Sequence, residues 1–154
     1  MLDAGNGSLI SMRLDDGKLR HQEISLKFAR VVFSVAAVYG LVVLLPQYFL
    51  IEQNGRDFPP AITHAEYYYG FIGVAVAWQI AFLVMAKDPA RYRPLMLPAV
   101  VEKAGFGIVA CVLYMLGRLG VSLFAAGIID LALGLLFGMA YRLTPSERKP
   151  TAPQ

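Results

Sequence analysis

The chain has 154 residues, of which 57% are hydrophobic and 16% charged, and its net charge is +3. Soluble domains are typically about 45–50% apolar and about 25% charged, so this composition excludes an ordinary soluble fold and indicates an integral membrane protein. The Lys and Arg residues lie at the ends of apolar segments rather than in a polar and aromatic patch, so a nucleic-acid partner is not expected. The single cysteine, Cys111, cannot form an intramolecular disulfide. The expected surroundings are a lipid bilayer.

The first 27 residues are polar and of mixed charge, and they include Gly5, Gly7 and Gly17. They contain no apolar run that could bury a core, so we predict a flexible N-terminal arm over residues 1–27. Met12 is an alternative start position within it. No short apolar region with a cleavage site follows the charges, so a cleaved signal peptide is not expected.

Four apolar runs follow, each close to the length of about 20 residues that crosses a bilayer as a helix. They predict helices at about residues 28–50, 65–86, 94–117 and 119–141. The loop after the first contains Asn54-Gly55 and Pro59-Pro60, which are turn signals. Residues 142–154 are polar with three prolines and are predicted to be a disordered tail. The predicted fold class is all-α, an antiparallel bundle of four transmembrane helices in a membrane domain over residues 28–141.

The distribution of Lys and Arg predicts the orientation, because cytoplasmic loops carry an excess of positive charge. Only Arg56 and Arg118 lie on one side of the predicted spans. The other side carries Arg13, Lys18, Arg20, Lys27, Arg30, Lys87, Arg91, Arg93, Arg142, Arg148 and Lys149. Both termini are therefore predicted to be cytoplasmic.

The third run carries Glu102 and Lys103 side by side, and the fourth carries Asp130 near its centre. A charge at the middle of a lipid-facing helix costs about 2.5–3.5 kcal/mol on the insertion scale, so these groups should face other helices. Counting about 1.5 Å per residue, Gln79 and Tyr39 fall at a similar depth. The candidate site is thus one buried polar layer: Tyr39, Gln79, Glu102, Lys103 and Asp130.

Lys103 is the expected partner of Asp130, yet the two side chains lean in opposite directions along the membrane normal, which leaves the pairing open. Ala126, Asp130, Gly134 and Gly138 recur every four residues and form a small-residue stripe that would allow close helix approach. The layer has two readings, a functional site or a structural device that holds the helices together, and the sequence favours neither.

The second run begins with His64, Glu66 and three tyrosines, Tyr67–Tyr69, which are typical of the membrane interface. His64 and Glu66 are therefore interpreted as interfacial candidates rather than as metal ligands, because two ligands do not complete a site. Trp78 beside Gln79 is interpreted as packing plus an interhelical hydrogen bond rather than a cofactor platform. No metal or cofactor is predicted.

A set of short motifs resembles a group of small bacterial four-helix integral membrane proteins of uncharacterised role, over about residues 28–144. The motifs are Tyr39-Gly40, Leu45-Pro46, Tyr69-Gly70-Phe71, Trp78-Gln79, Asp88-Pro89, Arg93-Pro94, Glu102-Lys103 and Asp130. A looser likeness, of architecture alone, is to the DoxX-like group. The resemblance implies a multi-pass protein of the bacterial inner membrane and brings no assigned catalytic residue.

Three functional classes follow from these features. The first is a non-enzymatic membrane subunit or accessory that binds a membrane-protein partner or forms a homo-oligomer. The second is an enzyme or binder for a lipophilic ligand, of the quinone or isoprenoid class, in which Glu102 or Asp130 exchanges a proton. The third is a small transporter, a class that usually has internal repeats or broken midplane helices, and the sequence contains no convincing repeat.

Overall fold

A computed structural model of the chain describes the backbone of residues 4–146, with side chains at position 13 and from position 15 onward. This part of the chain is all-helical and contains no β-strand. Its five helices are α1 (Ala4–Leu44), α2 (Ile51–Asp57), α3 (Ala65–Lys87), α4 (Met96–Met115) and α5 (Val121–Leu143). Short 3₁₀ segments follow α1 at Leu45–Phe49 and precede α4 at Arg93–Leu95.

Four segments are long and apolar enough to cross a membrane: Asp15–Phe49, Ala65–Lys87, Arg93–Met115 and Val121–Leu143. This confirms the prediction of an all-α chain with four helices of membrane-spanning length. Large apolar side chains on their outer faces are exposed, among them Val42, Phe71, Val101 and Leu135. In a bilayer these faces would contact lipid tails.

Two residues explain where the helices α1 and α4 end. Pro46 lacks a backbone N–H, so α1 stops at Leu44 and the chain continues as a 3₁₀ segment with proline in its first turn. Gly117 has φ +68°, a left-handed conformation that glycine adopts most easily, and its N–H bonds to the Tyr114 carbonyl at 3.0 Å. The turn at Gly117 therefore terminates α4.

Three boundaries differ from the sequence-based expectation. The first span is continuous with a helix that begins at Ala4, so the expected arm is helical from that residue, and its flexibility stays a prediction. The loop after the first span contains the short helix α2. The last helix begins at Val121, after Gly120, and continues to Leu143. Most of the predicted disordered tail, residues 147–154, lies outside the described residues.

The apolar core lies at the end of the molecule where the span in α1 begins and α5 ends. Phe33 stacks on Phe137 with ring centroids 4.3 Å apart, and Phe82 meets Phe137 edge-on at 4.9 Å. Met85 and Met96 complete this fully buried group. Helix α1 packs against both α3 and α5, and α4 packs mainly against α5. The polar residues of interest lie next to this core, further along the helices.

Candidate functional site: a buried ionic cluster

Glycines bring α4 and α5 into close contact and so fix the surroundings of the charged residues. A Cβ atom at Gly107 would lie 2.8 Å from the Gly127 carbonyl oxygen, and one at Gly127 would overlap the Ala110 side chain. A Cβ at Gly134 would meet the Lys103 Cβ at 3.4 Å. The two backbones can approach this closely only because no side chain stands between them.

Glu102, Lys103 and Asp130 meet at this contact and are referred to below as the ionic cluster. Lys103 Nζ lies 3.4 Å from Asp130 Oδ1 on α5 and 3.4 Å from Glu102 Oε2 on its own helix. The lysine therefore lies between two carboxyl groups. The structure thus brings the candidate partners Lys103 and Asp130 into contact, and it adds Glu102 as a second counter-ion.

The lysine side chain is held inside the protein rather than reaching an end of the span. Lys103 is only 5% exposed. Its ammonium lies 5.5 Å from the centroid of the Phe82 ring on α3, which is within the range of a cation–π interaction. Three helices therefore surround this one charge.

The two oxygens of Glu102 differ in their hydrogen bonding. Lys103 Nζ donates to Oε1 at 3.5 Å. Oε2 is as close to Nζ, but the angle does not suit a hydrogen bond, and this buried oxygen has no donor among the described residues. The Glu102 and Asp130 side chains are 20% and 15% exposed, against 6% for Lys103. The side chains of the two acids are thus less deeply buried than the side chain of the lysine.

The remaining residues of the predicted layer occupy two other positions. Tyr39 on α1 is partly buried. Gln79 on α3 is 1% exposed and donates from Nε2 to the Ala75 carbonyl of its own helix at 3.0 Å. It makes no hydrogen bond to the ionic cluster in the described part of the chain.

Gln79 instead packs against α1 at Gly40. A Cβ atom at Gly40 would overlap the end of the Gln79 side chain, so glycine at this position creates the space for the amide. Gln79 Oε1 is buried and has no hydrogen-bond partner among the described residues. The predicted single layer is therefore an ionic cluster on α4 and α5, with Tyr39 near it and a separate amide between α1 and α3.

His64 and Glu66, the interfacial candidates, lie together at the start of α3. His64 Nδ1 is 3.0 Å from Glu66 Oε1, and the two side chains are 70% and 69% exposed. No group of three or more His, Cys, Asp or Glu residues within the described ranges is arranged to hold a metal ion. The pair lies at the end of a span, away from the ionic cluster.

A group of polar contacts that the sequence does not predict lies at this same end of the molecule. The Tyr68 hydroxyl donates to the Gln47 carbonyl at 2.8 Å. Asn54 Nδ2 donates to Tyr68 Oη at 2.7 Å and to Gln47 Oε1 at 2.6 Å. These bonds tie α2 and the 3₁₀ segment to α3. The sequence predicts Tyr68 only as an aromatic residue of the membrane interface. Its spacing from Gln47 and Asn54 does not indicate that these residues are its partners.

At the opposite end, Arg93 closes the last turn of α5. Its Nε donates to the Tyr141 carbonyl at 3.0 Å, and its guanidinium carbon lies 4.0 Å from the centroid of the Tyr141 ring. A positive charge at a helix C-terminus satisfies a free carbonyl and is favourable with the helix dipole. The sequence predicts Arg93 only as one of the positive charges that set the orientation in the membrane. Its role in capping α5 was not predicted.

The ionic cluster is the only place among the described residues where one charged side chain forms ion pairs with two others. It can hold two helices together by charge, and it can bind or release a proton at a carboxyl group. Searches against protein-family models, curated proteins and solved structures found no match to this chain.

Proposed function

We propose that the chain is an integral protein of the bacterial inner membrane that acts as a non-enzymatic subunit or accessory. Its four long helices would form an antiparallel bundle with both termini in the cytoplasm. The exposed apolar faces and the concentration of Lys and Arg at one end of the predicted spans support this arrangement. The resemblance to small bacterial membrane proteins supports the location.

The order of contacts between α4 and α5 supports the antiparallel arrangement. Lys103 lies next to Gly134, and Gly107 lies next to Gly127, so residue numbers rise along one helix as they fall along the other. The turn between Met115 and Val121 is too short for any other return.

The ionic cluster is the observation that carries the proposal of a structural role. Lys103 on α4 and Asp130 on α5 attract each other across the contact between the helices, in surroundings where lipid and protein exclude water. Removing all counter-ions from a buried charge costs about 3–5 kcal/mol, whereas an apolar replacement of the whole group can be neutral. The cluster would therefore hold α4 and α5 in one register. A fixed bundle of this kind suits a protein that presents a membrane surface to a second copy or another membrane protein.

Substitution of the two acids tests this role. Glu102→Gln leaves Lys103 paired with Asp130 on α5, so it should lose no more than about 1 kcal/mol. Asp130→Asn leaves Lys103 paired only with Glu102 on its own helix, so the attraction between α4 and α5 is lost and the cost should be about 1–2 kcal/mol. The double variant leaves Lys103 buried with no counter-ion and should lose about 3–5 kcal/mol. The measurement is the free energy of unfolding in mixed micelles, by titration with a denaturing detergent.

Lys103→Met added to the double variant should restore most of the stability, because no buried charge then remains. Glu66→Gln is the matched control, since this exposed carboxyl makes no contact with the cluster. If the losses of the two acid variants simply add, and the lysine substitution restores nothing, the ionic cluster does not hold the helices together.

A further inference from the structure

The ionic cluster contains two carboxyl groups and one ammonium, so its full ionisation would leave one uncompensated negative charge. Both carboxyl groups contact the same Nζ atom, at 3.4 Å each, so neither has a cation of its own. An uncompensated charge in surroundings of low polarity is unfavourable, and such a group takes up a proton instead.

Among the described residues, no cation other than Lys103 forms an ion pair with either carboxyl group of the cluster. On α1 the ionisable residue at a similar depth is Tyr39, and Arg30 is exposed more than two turns before it. On α3 no ionisable residue lies between Tyr69 and Lys87, and the contact there is the Phe82 ring. The remaining ionisable residues of α4, Cys111 and Tyr114, are neutral in their ordinary forms. Asp130 is the one ionisable residue of α5 before Tyr141.

We propose that the ionic cluster is a proton-binding site that holds one proton, shared between Glu102 and Asp130 on either side of Lys103. Binding forms one O–H bond at a carboxylate oxygen, with the proton taken from water, and changes the charge of the cluster from −1 to 0. No oxidant or reductant takes part.

The hydrogen bonding of the Glu102 carboxyl group indicates one position for the shared proton. Its Oε1 accepts a hydrogen bond from Lys103, whereas Oε2 is buried with no donor in suitable geometry among the described residues. A buried carboxylate oxygen that receives no hydrogen bond is poorly stabilised as an anion, so Oε2 is one of the positions that the shared proton can occupy.

The test is infrared spectroscopy of the purified protein in lipid near neutral pH, which detects the carbonyl stretch of a protonated carboxylic acid. The parent protein should show about one protonated carboxyl per chain. Either Glu102→Gln or Asp130→Asn leaves one carboxylate with Lys103, a neutral pair, so the band should vanish in both variants. Lys103→Met removes the cation and should raise the band to about twice that of the parent. Glu66→Gln should leave it unchanged.

The absence of the band in the parent would overturn the proposal, as would a band that persists in either single-acid variant. These two variants keep one ion pair, so the result does not depend on whether Lys103→Met folds. The proposal rests on the membrane bundle described above, but it fails separately from it. Stability losses that are not additive, combined with no carboxylic acid band, would keep the structural role and remove the proton.

Discussion

At the scale of single residues, Gly40 shows how a missing side chain positions a polar one. The Gln79 amide fills the space beside Gly40, and its Nε2 bonds to a carbonyl of its own helix. The amide nitrogen is thus satisfied within α3, while Oε1 is buried beside α1 with no hydrogen-bond partner among the described residues. The close packing of the two helices therefore depends on this glycine.

We predict that Gly40→Ala destabilises the protein by about 1–3 kcal/mol, because the added methyl group overlaps the buried Gln79 side chain. Gln79→Ala in the same chain should recover part of this loss, since it removes the atoms that the methyl group meets. Gly70→Ala is the control, because no atom lies within 4 Å of a Cβ at Gly70. Equal unfolding midpoints for Gly40→Ala and Gly70→Ala would contradict the assignment of Gly40.

Residue identity alone was enough to select Glu102, Lys103 and Asp130, since charges within apolar runs are costly unless they have partners. It was not enough to decide which of them touch. Spacing placed Gln79 in the same layer, but depth along the membrane does not fix the direction in which a side chain points. The contact of Gln79 with Gly40 depends on the rotation of α1 against α3, which no sequence pattern encodes.

At the scale of helices, α4 and α5 share the most extensive contact among the described elements. The small-residue stripe of α5 was predicted through Ala126, Asp130, Gly134 and Gly138. Of the glycines in this stripe, Gly134 is a close contact in the structure, whereas a Cβ at Gly138 would meet nothing within 4 Å. The other close contact is Gly127, which is not part of the stripe. A four-residue repeat drifts around a helix of 3.6 residues per turn, so the face that packs follows seven-residue spacing over this length.

The register of this contact can be tested with two glycines on the same helix. Gly107→Ala should cost about 1–3 kcal/mol, because its methyl group would press on the Gly127 carbonyl and on Leu131. A Cβ at Gly105, two residues away, would meet no atom within 4 Å. Gly105→Ala should therefore be neutral or stabilise the protein by up to about 1 kcal/mol through helix propensity. Thermal unfolding in detergent measures both. A loss at Gly105 equal to that at Gly107 would show that the register is different.

Helix lengths followed from hydropathy for α3 and α4, because apolar runs bounded by turn residues leave little freedom. They did not follow for α1. Its polar N-terminal part carries glycines and no apolar run, and yet the helix begins at Ala4. A helix already formed in the first span extends at little cost, since the unfavourable nucleation step has been taken. Local composition gives no signal of this continuation.

At the scale of the whole molecule, the location of the ionic cluster determines how much its contacts contribute to stability. The same three side chains on the surface of a soluble protein would be hydrated, and their contacts would contribute little. Between helices that cross a bilayer, the charges must be paired or neutralised. Both the structural role and the proton site therefore depend on four spans that place the cluster within the membrane.

Accessibility of introduced cysteines tests this central claim most directly. In a Cys111→Ala parent, single cysteines replace Gly17, Arg56, Lys87, Arg118 and Ser146, and intact bacterial cells receive a thiol reagent that does not cross membranes. We predict labelling at positions 56 and 118 from outside, and labelling at 17, 87 and 146 only after the cells are permeabilised. Labelling of position 17, 87 or 146 in intact cells, or protection of 56 or 118, would contradict four spans with both termini in the cytoplasm.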